Sequence, residues 1–363
     1  MKRLKVIALV TVLTLAFAGC SKKVDNTKKQ KSVTTEAPTI EAKGIKEPEA
    51  TQNTEIQDGK ERSKLTNEWI AADKAAARPY AVMLSNIKVA SPQSGISQAG
   101  IIYECLVEGG ITRLMGVFDE FDAEKIGSIR SARHYYVSLA DEYDAIICHY
   151  GQSKYTEPKI EELGVDNLSG LSSVGTTVYE RDSSIKSPHN VFASYDSILK
   201  GTKKMKYRTE YRKNLVSHYN FYEEDTVPKS DTDANTVNIE FSKAYSPVFS
   251  YDDASKEYVR SQFGQEHVDK TTGKPLMFKN LIVQFVKEST MDKVGRQDMD
   301  LAKATGEGYY ISDGKAVKIK WKKNESEKIM EYYDESGEKL TVNTGKTYIA
   351  LFPEDKASQI TFK

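Results

Sequence analysis

From Ser21 to Glu68 the chain carries no aromatic residue and is rich in Lys, Glu, Thr and Gln. Such a stretch cannot bury enough apolar surface to offset the entropy of ordering it. Folding is therefore expected to begin at Trp69, with residues 21–68 as a polar, disordered tether. As a flexible coil that tether would span about 35–40 Å on average. Residues 69–363 are long enough for two domains. Lys+Arg 52 balance Asp+Glu 52. A nucleic-acid-binding domain would carry a basic excess, so no nucleic-acid partner is expected.

The chain before the tether is of a different kind. Lys2, Arg3 and Lys5 make a basic start, and Val6–Phe17 is an apolar run too short to span a bilayer comfortably. Phe17-Ala18-Gly19-Cys20 then places small residues directly before a cysteine. This resembles a bacterial lipoprotein signal peptide over residues 1–20, with Phe17 where such signals usually have Leu. The resemblance implies that Cys20 is lipidated. The chain would then be held to the cell membrane by its N-terminal lipid, on the extracytoplasmic face. Each buried methylene of an acyl chain adds about 0.8 kcal/mol to such an anchor.

Within the folded part, Arg78–Leu84, Ile111–Phe118 and Asp144–Tyr150 read as strands, and Ile101–Val107 as a strand or a short helix. Ser131 is placed to cap a helix running to about Tyr143. A second helix, Tyr155–Leu163, ends at Gly164, and a third covers Ser194–Lys204. The polar, turn-rich segment 223–236 reads as a linker. Beyond it come short β-branched and aromatic runs, among them Val237–Phe241, Leu281–Val286, Lys315–Lys320 and Thr347–Phe352. Asp313-Gly314 and Ser336-Gly337 punctuate them as hairpin turns. The expected fold is α+β / α/β: a mixed-sheet α/β N-terminal domain over 69–222, then a mainly antiparallel β C-terminal domain over 237–363. Cys105 and Cys148 sit in apolar runs and read as buried thiols. They could pair only from neighbouring strands.

The candidate site lies in GSIRSARHYY, Gly127–Tyr136. Arg130, Arg133 and His134 fall where a strand feeds the start of a helix, a terminus already partly positive. Asp141 and Glu142 sit at the other end, so both ends carry the sign that the helix dipole disfavours. An anion held by Arg113, Arg130, Arg133 and His134 would explain the pattern. The anion could equally be internal. Glu104 and Glu108 are candidate counter-ions for these arginines, or candidate acids and bases, as are His149 and His189. No ligand spacing for a metal and no phosphate-binding glycine loop is present, so neither metal nor cofactor is expected.

Five stretches carry a family resemblance: PQSGISQAGIIYECLVEGGITRLMGVF, IGSIRSARHYYVSLADEYDAIICHYG, SPHNVF, TGKPLMFKNLIVQ and GEGYYISDGKAVKIKWKK. The chain resembles the YerB-like family of Gram-positive lipoproteins over nearly all of Trp69–Phe362. The resemblance implies a two-part extracytoplasmic module on a lipid anchor, of unknown function, and carries over no catalytic residue. About thirty residues also resemble the LytR-CpsA-Psr phosphotransferases, whose arginines grip a polyprenyl-linked pyrophosphate. The Arg-Asp pair of those enzymes is absent, since Ser131 follows Arg130. Three function classes stay open. The first is a binding module for an anionic, cell-wall or phosphate-bearing ligand or for a protein partner. The others are an envelope enzyme acting on a glycan or polyprenyl phosphate, and a structural envelope protein.

Overall fold

The structure, a computed structural model, describes residues 56–302, 305–324 and 328–363; Cys20, the signal segment and most of the expected tether lie outside them. Its frame is a ten-stranded mixed sheet. The strands are β1 (Tyr80–Ser85), β2 (Ile101–Leu106), β3 (Thr112–Phe118), β4 (Ile146–His149), β5 (Asn167–Ser169), β6 (Asn280–Val286), β7 (Thr305–Ser312), β8 (Lys315–Asn324), β9 (Ile329–Tyr333) and β10 (Thr347–Pro353). Their order is β9-β8-β7-β6-β10-β2-β3-β1-β4-β5.

The sheet does not respect the division by sequence at 223–236. β10 pairs in parallel with β2, from Thr347 opposite Ile101 to Leu351 opposite Cys105. Strands from both halves thus form one continuous surface. β6 and β10 are also parallel, whereas β7, β8 and β9 follow one another as antiparallel hairpins. Asp313 (φ 47°) and Gly314 (φ 72°) make the β7–β8 turn in the left-handed geometry that suits a right-twisted hairpin. Folded chain also begins earlier than the aromatic residues suggest. Lys60–Arg62, within the expected tether, pairs with Trp69–Ala71.

β2 is buried on both faces, and its alternation decides what meets what. On one face Tyr103 OH meets Tyr143 OH at 2.8 Å; Tyr143 caps helix α1 (His134–Glu142) at its C-terminus. On the other face Glu104 meets a smaller antiparallel sheet built from Thr236–Ile239, Val248–Asp252, Glu257–Gln262 and Ile360–Phe362. Phe249 and Phe278 of that side pack on Tyr348 of β10, with ring centroids 4.6 and 5.6 Å away. Helices α2 (Thr156–Leu163) and α3 (Tyr195–Met205) complete the N-terminal half. α2 ends on Gly164 at φ 68°, and α3 starts with a reciprocal Ser194–Ser197 capping box. Cys105 and Cys148 are buried free thiols. β3 and β1 stand between their strands, so they are not neighbours. No helix among the described residues is long and apolar enough to cross a membrane.

Candidate functional site

β1, β2, β4, β5, β6 and β10 run in one direction and end on one edge of the sheet, where antiparallel β3 begins. In α/β sheets the carboxyl edge is where loops leave room for ligands. Here it has a particular construction. β1 and β4 pair only as far as Val82 and Cys148. Past that point they splay, and the chain from Ile129 to Ala132 fills the gap. Leu84 pairs with Ile129, and Ala132 with Gln152. The Arg130 N–H donates to Met83 O at 2.9 Å, and Arg130 O accepts from the Tyr150 N–H at 3.1 Å. This wedge holds the segment extended through Ala132. Ser131 is therefore not the helix cap: Arg133 occupies the N-cap, without a side-chain capping bond, and the Ser131 hydroxyl donates to Tyr150 O at 3.3 Å.

The wedge gathers the arginines. Arg113, near the start of β3, is only 5% exposed. Its Nη1 donates to Ser131 O at 2.5 Å, and Arg133 Nη1 reaches the same carbonyl at 3.5 Å. Arg133 forms a two-pronged pair with Glu108, Nε to Oε1 at 2.8 Å and Nη2 to Oε2 at 2.6 Å. Arg130 Nη1 donates to Pro188 O at 2.8 Å. Among the described residues neither Arg113 nor Arg130 has a carboxylate partner. Burial, with the like charges of Arg133 and Arg130 beside it, pulls the Arg113 pKa down to about 10. Burial and Arg133 lower that of Arg130 in the same way. Glu108 behaves oppositely: burial pushes it up, but Arg133 and Arg113 outweigh this and hold it below its ordinary value.

Several expected partners stand elsewhere. Glu104 is not a counter-ion for these arginines. Arg113 is in register with Cys105, so it projects from the face opposite Glu104. Both Glu104 oxygens are saturated inside the protein, by Asn86 (2.9 Å) and Thr112 (2.6 Å), and by Arg260 (2.7 Å) and Tyr348 (2.8 Å). Glu108 has left the strand for the turn Glu108–Gly110 and serves Arg133 alone at close range. His134 is tied to Asp298 at 2.7 Å. His149 is buried, with Nδ1 against Gly151 O at 2.8 Å and Nε2 against Asn167 Oδ1 at 3.3 Å; burial lowers its pKa despite these bonds. His189 lies beside Arg130 and is not part of a metal cluster; no group of three His, Cys, Asp or Glu that could hold a metal occurs among the described residues.

The hairpin Glu288–Thr290/Gln297–Met299 also borders the site, and sequence reasoning did not point to it. It brings Arg296, which binds Asp292 at 2.7 Å and approaches Glu108 at 3.9 Å, while Lys154 approaches Asp292 at 3.6 Å. Arg133, Arg296 and Lys154 thus share Glu108 and Asp292 at this edge, which leaves Arg113 and Arg130 outside those pairs. The Asp292–Gly295 turn within MDKVGR was the available signal, a charged hairpin tip following an apolar strand. Two concavities lie away from these arginines. One of about 270 Å³ is lined by Arg212–Val216, Lys328 and Ile329; one of about 170 Å³ lies by Arg78, Asp144 and Arg208.

Comparison with known proteins agrees with this architecture. The model described as "Protein of unknown function (DUF3048) N-terminal domain" matches residues 65–208, and the corresponding C-terminal domain model matches 237–349. The chain is 32% identical over 289 residues to "Putative lipoprotein YerB" of Bacillus subtilis (strain 168), covering 78% of this chain and 84% of that one. The crystal structure of the Bacillus subtilis YerB protein superposes with a TM-score of 0.73 at 28% identity, over 83% of this chain and 99% of that one.

Proposed function

This chain belongs to the DUF3048 family, the family of YerB, and on that premise we propose that it is a lipid-tethered extracytoplasmic protein that binds an anionic envelope ligand at the carboxyl edge of its sheet. The observation that carries the reading is Arg113: a guanidinium 5% exposed with no carboxylate partner among the described residues. A buried charge left without a counter-ion costs several kcal/mol. A site that tolerates this cost is suited to an anion supplied from outside. Arg130, nearer the surface, gives the same anion a second fork.

The enzyme alternative is less well supported, because the candidate bases are engaged. Glu104 has its oxygens filled, Glu108 is forked to Arg133, and both ring nitrogens of His149 face acceptors. Isothermal titration of the full chain with inorganic phosphate tests the binding reading. Arg130→Ala should weaken binding about 10- to 100-fold, the worth of one or two charge-assisted hydrogen bonds. Equal affinity for wild type and variant would remove these arginines from the account.

Tethering has its own test. Cys20→Ala should move the protein from the membrane pellet to the soluble or secreted fraction, because acyl chains on that residue would supply the whole anchor. Retention of the variant in the pellet would instead mean that the apolar run Val6–Phe17 stays as the anchor.

A further inference from the structure

We propose that the occupant of this edge is a tetrahedral phosphoryl oxyanion, and that the His189 imidazole is its third donor and takes up a proton as it binds. The inference rests on the anion-binding reading and names its chemical class. Two guanidinium groups are each pinned by one arm to a main-chain carbonyl, Arg113 to Ser131 O and Arg130 to Pro188 O. Their remaining N–H groups have no acceptor among the described residues. A carboxylate offers two oxygens in one plane, and a single guanidinium fork satisfies both. Its further lone pairs lie in that same plane, so a second fork from a different element is poorly placed to use them. A phosphoryl group presents three or four oxygens in three dimensions and carries up to two charges.

His189 follows the carbonyl that pins Arg130, so the contact that orients the guanidinium also sets the imidazole beside it. Its Nδ1 is buried and has no hydrogen-bond partner among the described residues. The loop is held from both sides. Asp182 N–H donates to Asn190 O at 2.8 Å, Ile129 N–H donates to Val191 O at 2.8 Å, and His189 N–H donates to Lys186 O at 3.1 Å. The charged groups around the ring are few. Arg130 acts on it from the wedge, with Arg133 behind Arg130 already forked to Glu108. On its own loop, Asp182 is taken by Lys125, Arg181 is taken by Asn190 Oδ1, and Lys186 is exposed.

Burial and the Arg130 charge lower the His189 pKa, which favours the uncharged ring near neutral pH. A dianion placed between Arg130 and the ring reverses that balance and favours the imidazolium. Binding should therefore tighten as pH falls, and one proton should enter with the anion.

Sulfate is the probe of choice, because it is tetrahedral and its charge is constant between pH 5.5 and 8. The full chain is titrated with sulfate and with acetate at both pH values and constant ionic strength, in buffers of different ionisation enthalpy. The expected results are a sulfate Kd roughly 3- to 10-fold smaller at pH 5.5 than at pH 8, proton uptake on binding, and acetate at least about 10-fold weaker than sulfate. His189→Gln should abolish the pH slope, while Lys186→Ala, on the same loop but outside the site, should keep it. A pH-independent Kd in wild type, or an unchanged slope in His189→Gln, would overturn the role of His189. Acetate binding as tightly as sulfate would overturn the phosphoryl assignment. Either result leaves the anion site standing if Arg130→Ala still weakens binding. If neither anion binds wild type, the site reading itself falls.

Discussion

Glu104→Ala is expected to cost about 3–5 kcal/mol of folding free energy, the range for removing one partner of a buried ion pair. Glu104 and Arg260 are both fully buried, 2.7 Å apart, and 156 residues apart in the chain. Arg260 is also bonded to the Gln262 amide oxygen, and its Nη1 lies 2.5 Å from His267 Nδ1. His267 Nε2 meets Gln93 Oε1 at 2.5 Å, and Gln93 Nε2 donates to Ser85 O at 2.6 Å. The chain of contacts fastens the smaller sheet to β1 and β2. Removing the carboxylate strands a guanidinium in the interior. Removing both charges leaves no stranded charge, although Asn86, Thr112 and Tyr348 lose their acceptor. The double variant Glu104→Leu, Arg260→Met should therefore recover part of the loss, since shape-conserving apolar replacements of buried pairs are often neutral. Urea unfolding of wild type, single and double variants decides it. A single-variant cost under about 1 kcal/mol would mean that the pair contributes no more than a surface contact.

That pair also marks where reading the sequence stops. The element at Ile101–Leu106 is legible from its apolar run as a strand or a short helix, and a buried carboxylate within it needs a partner either way. The partner could not be chosen, because nearby arginines and a distant one are equivalent on paper. Register decides: Arg113 stands opposite Cys105, not Glu104, and is therefore on the wrong face. The same limit explains the helix start. Ser131 has the chemistry of a cap, but Met83 O and the Tyr150 N–H capture the backbone of Arg130 and keep the chain extended. It explains the boundary as well. Residues 223–236 are polar enough to read as a linker, yet the β2–β10 pairing that crosses it joins residues about 246 positions apart in sequence. Lys60–Arg62 was invisible for another reason. Its residues have no apolar alternation, and its place in a strand is set by the Trp69–Ala71 partner. What local pattern did expose was the type and position of most elements, the burial of both internal cysteines, and the convergence of three arginines on one edge.

Lowering the pH from 7 to 5 is expected to remove about 4 kcal/mol of stability through two histidines buried in neutral form. His218 donates from Nδ1 to Met330 O at 2.8 Å and stacks on Tyr143 at 4.5 Å, while its buried Nε2 has no partner among the described residues. Burial, then the charges of Lys323 and Lys339, take its pKa down to about 3 against the pull of the Met330 bond. Burial and Arg260 hold His267 well below its ordinary value. The geometry gives the reason, since its Nδ1 accepts from Arg260 and a proton there would face the guanidinium. For a group whose folded pKa is depressed, stability is full above the unfolded value near 6.5 and is lost as pH falls below it. While the folded pKa stays well under 5, the loss between pH 7 and 5 depends only on the unfolded value, and comes to about 2 kcal/mol per histidine. Glu142 opposes this. Burial raises its pKa despite Lys323, so the folded state binds its proton more readily as acid is added. Comparing variants with wild type cancels that contribution. His218→Gln and His267→Gln should each remove about 2 kcal/mol of the acid-induced loss, measured as the difference in urea unfolding free energy between pH 7 and pH 5. If the double variant loses as much stability as wild type over that interval, the two imidazoles do not govern the acid limit of this fold.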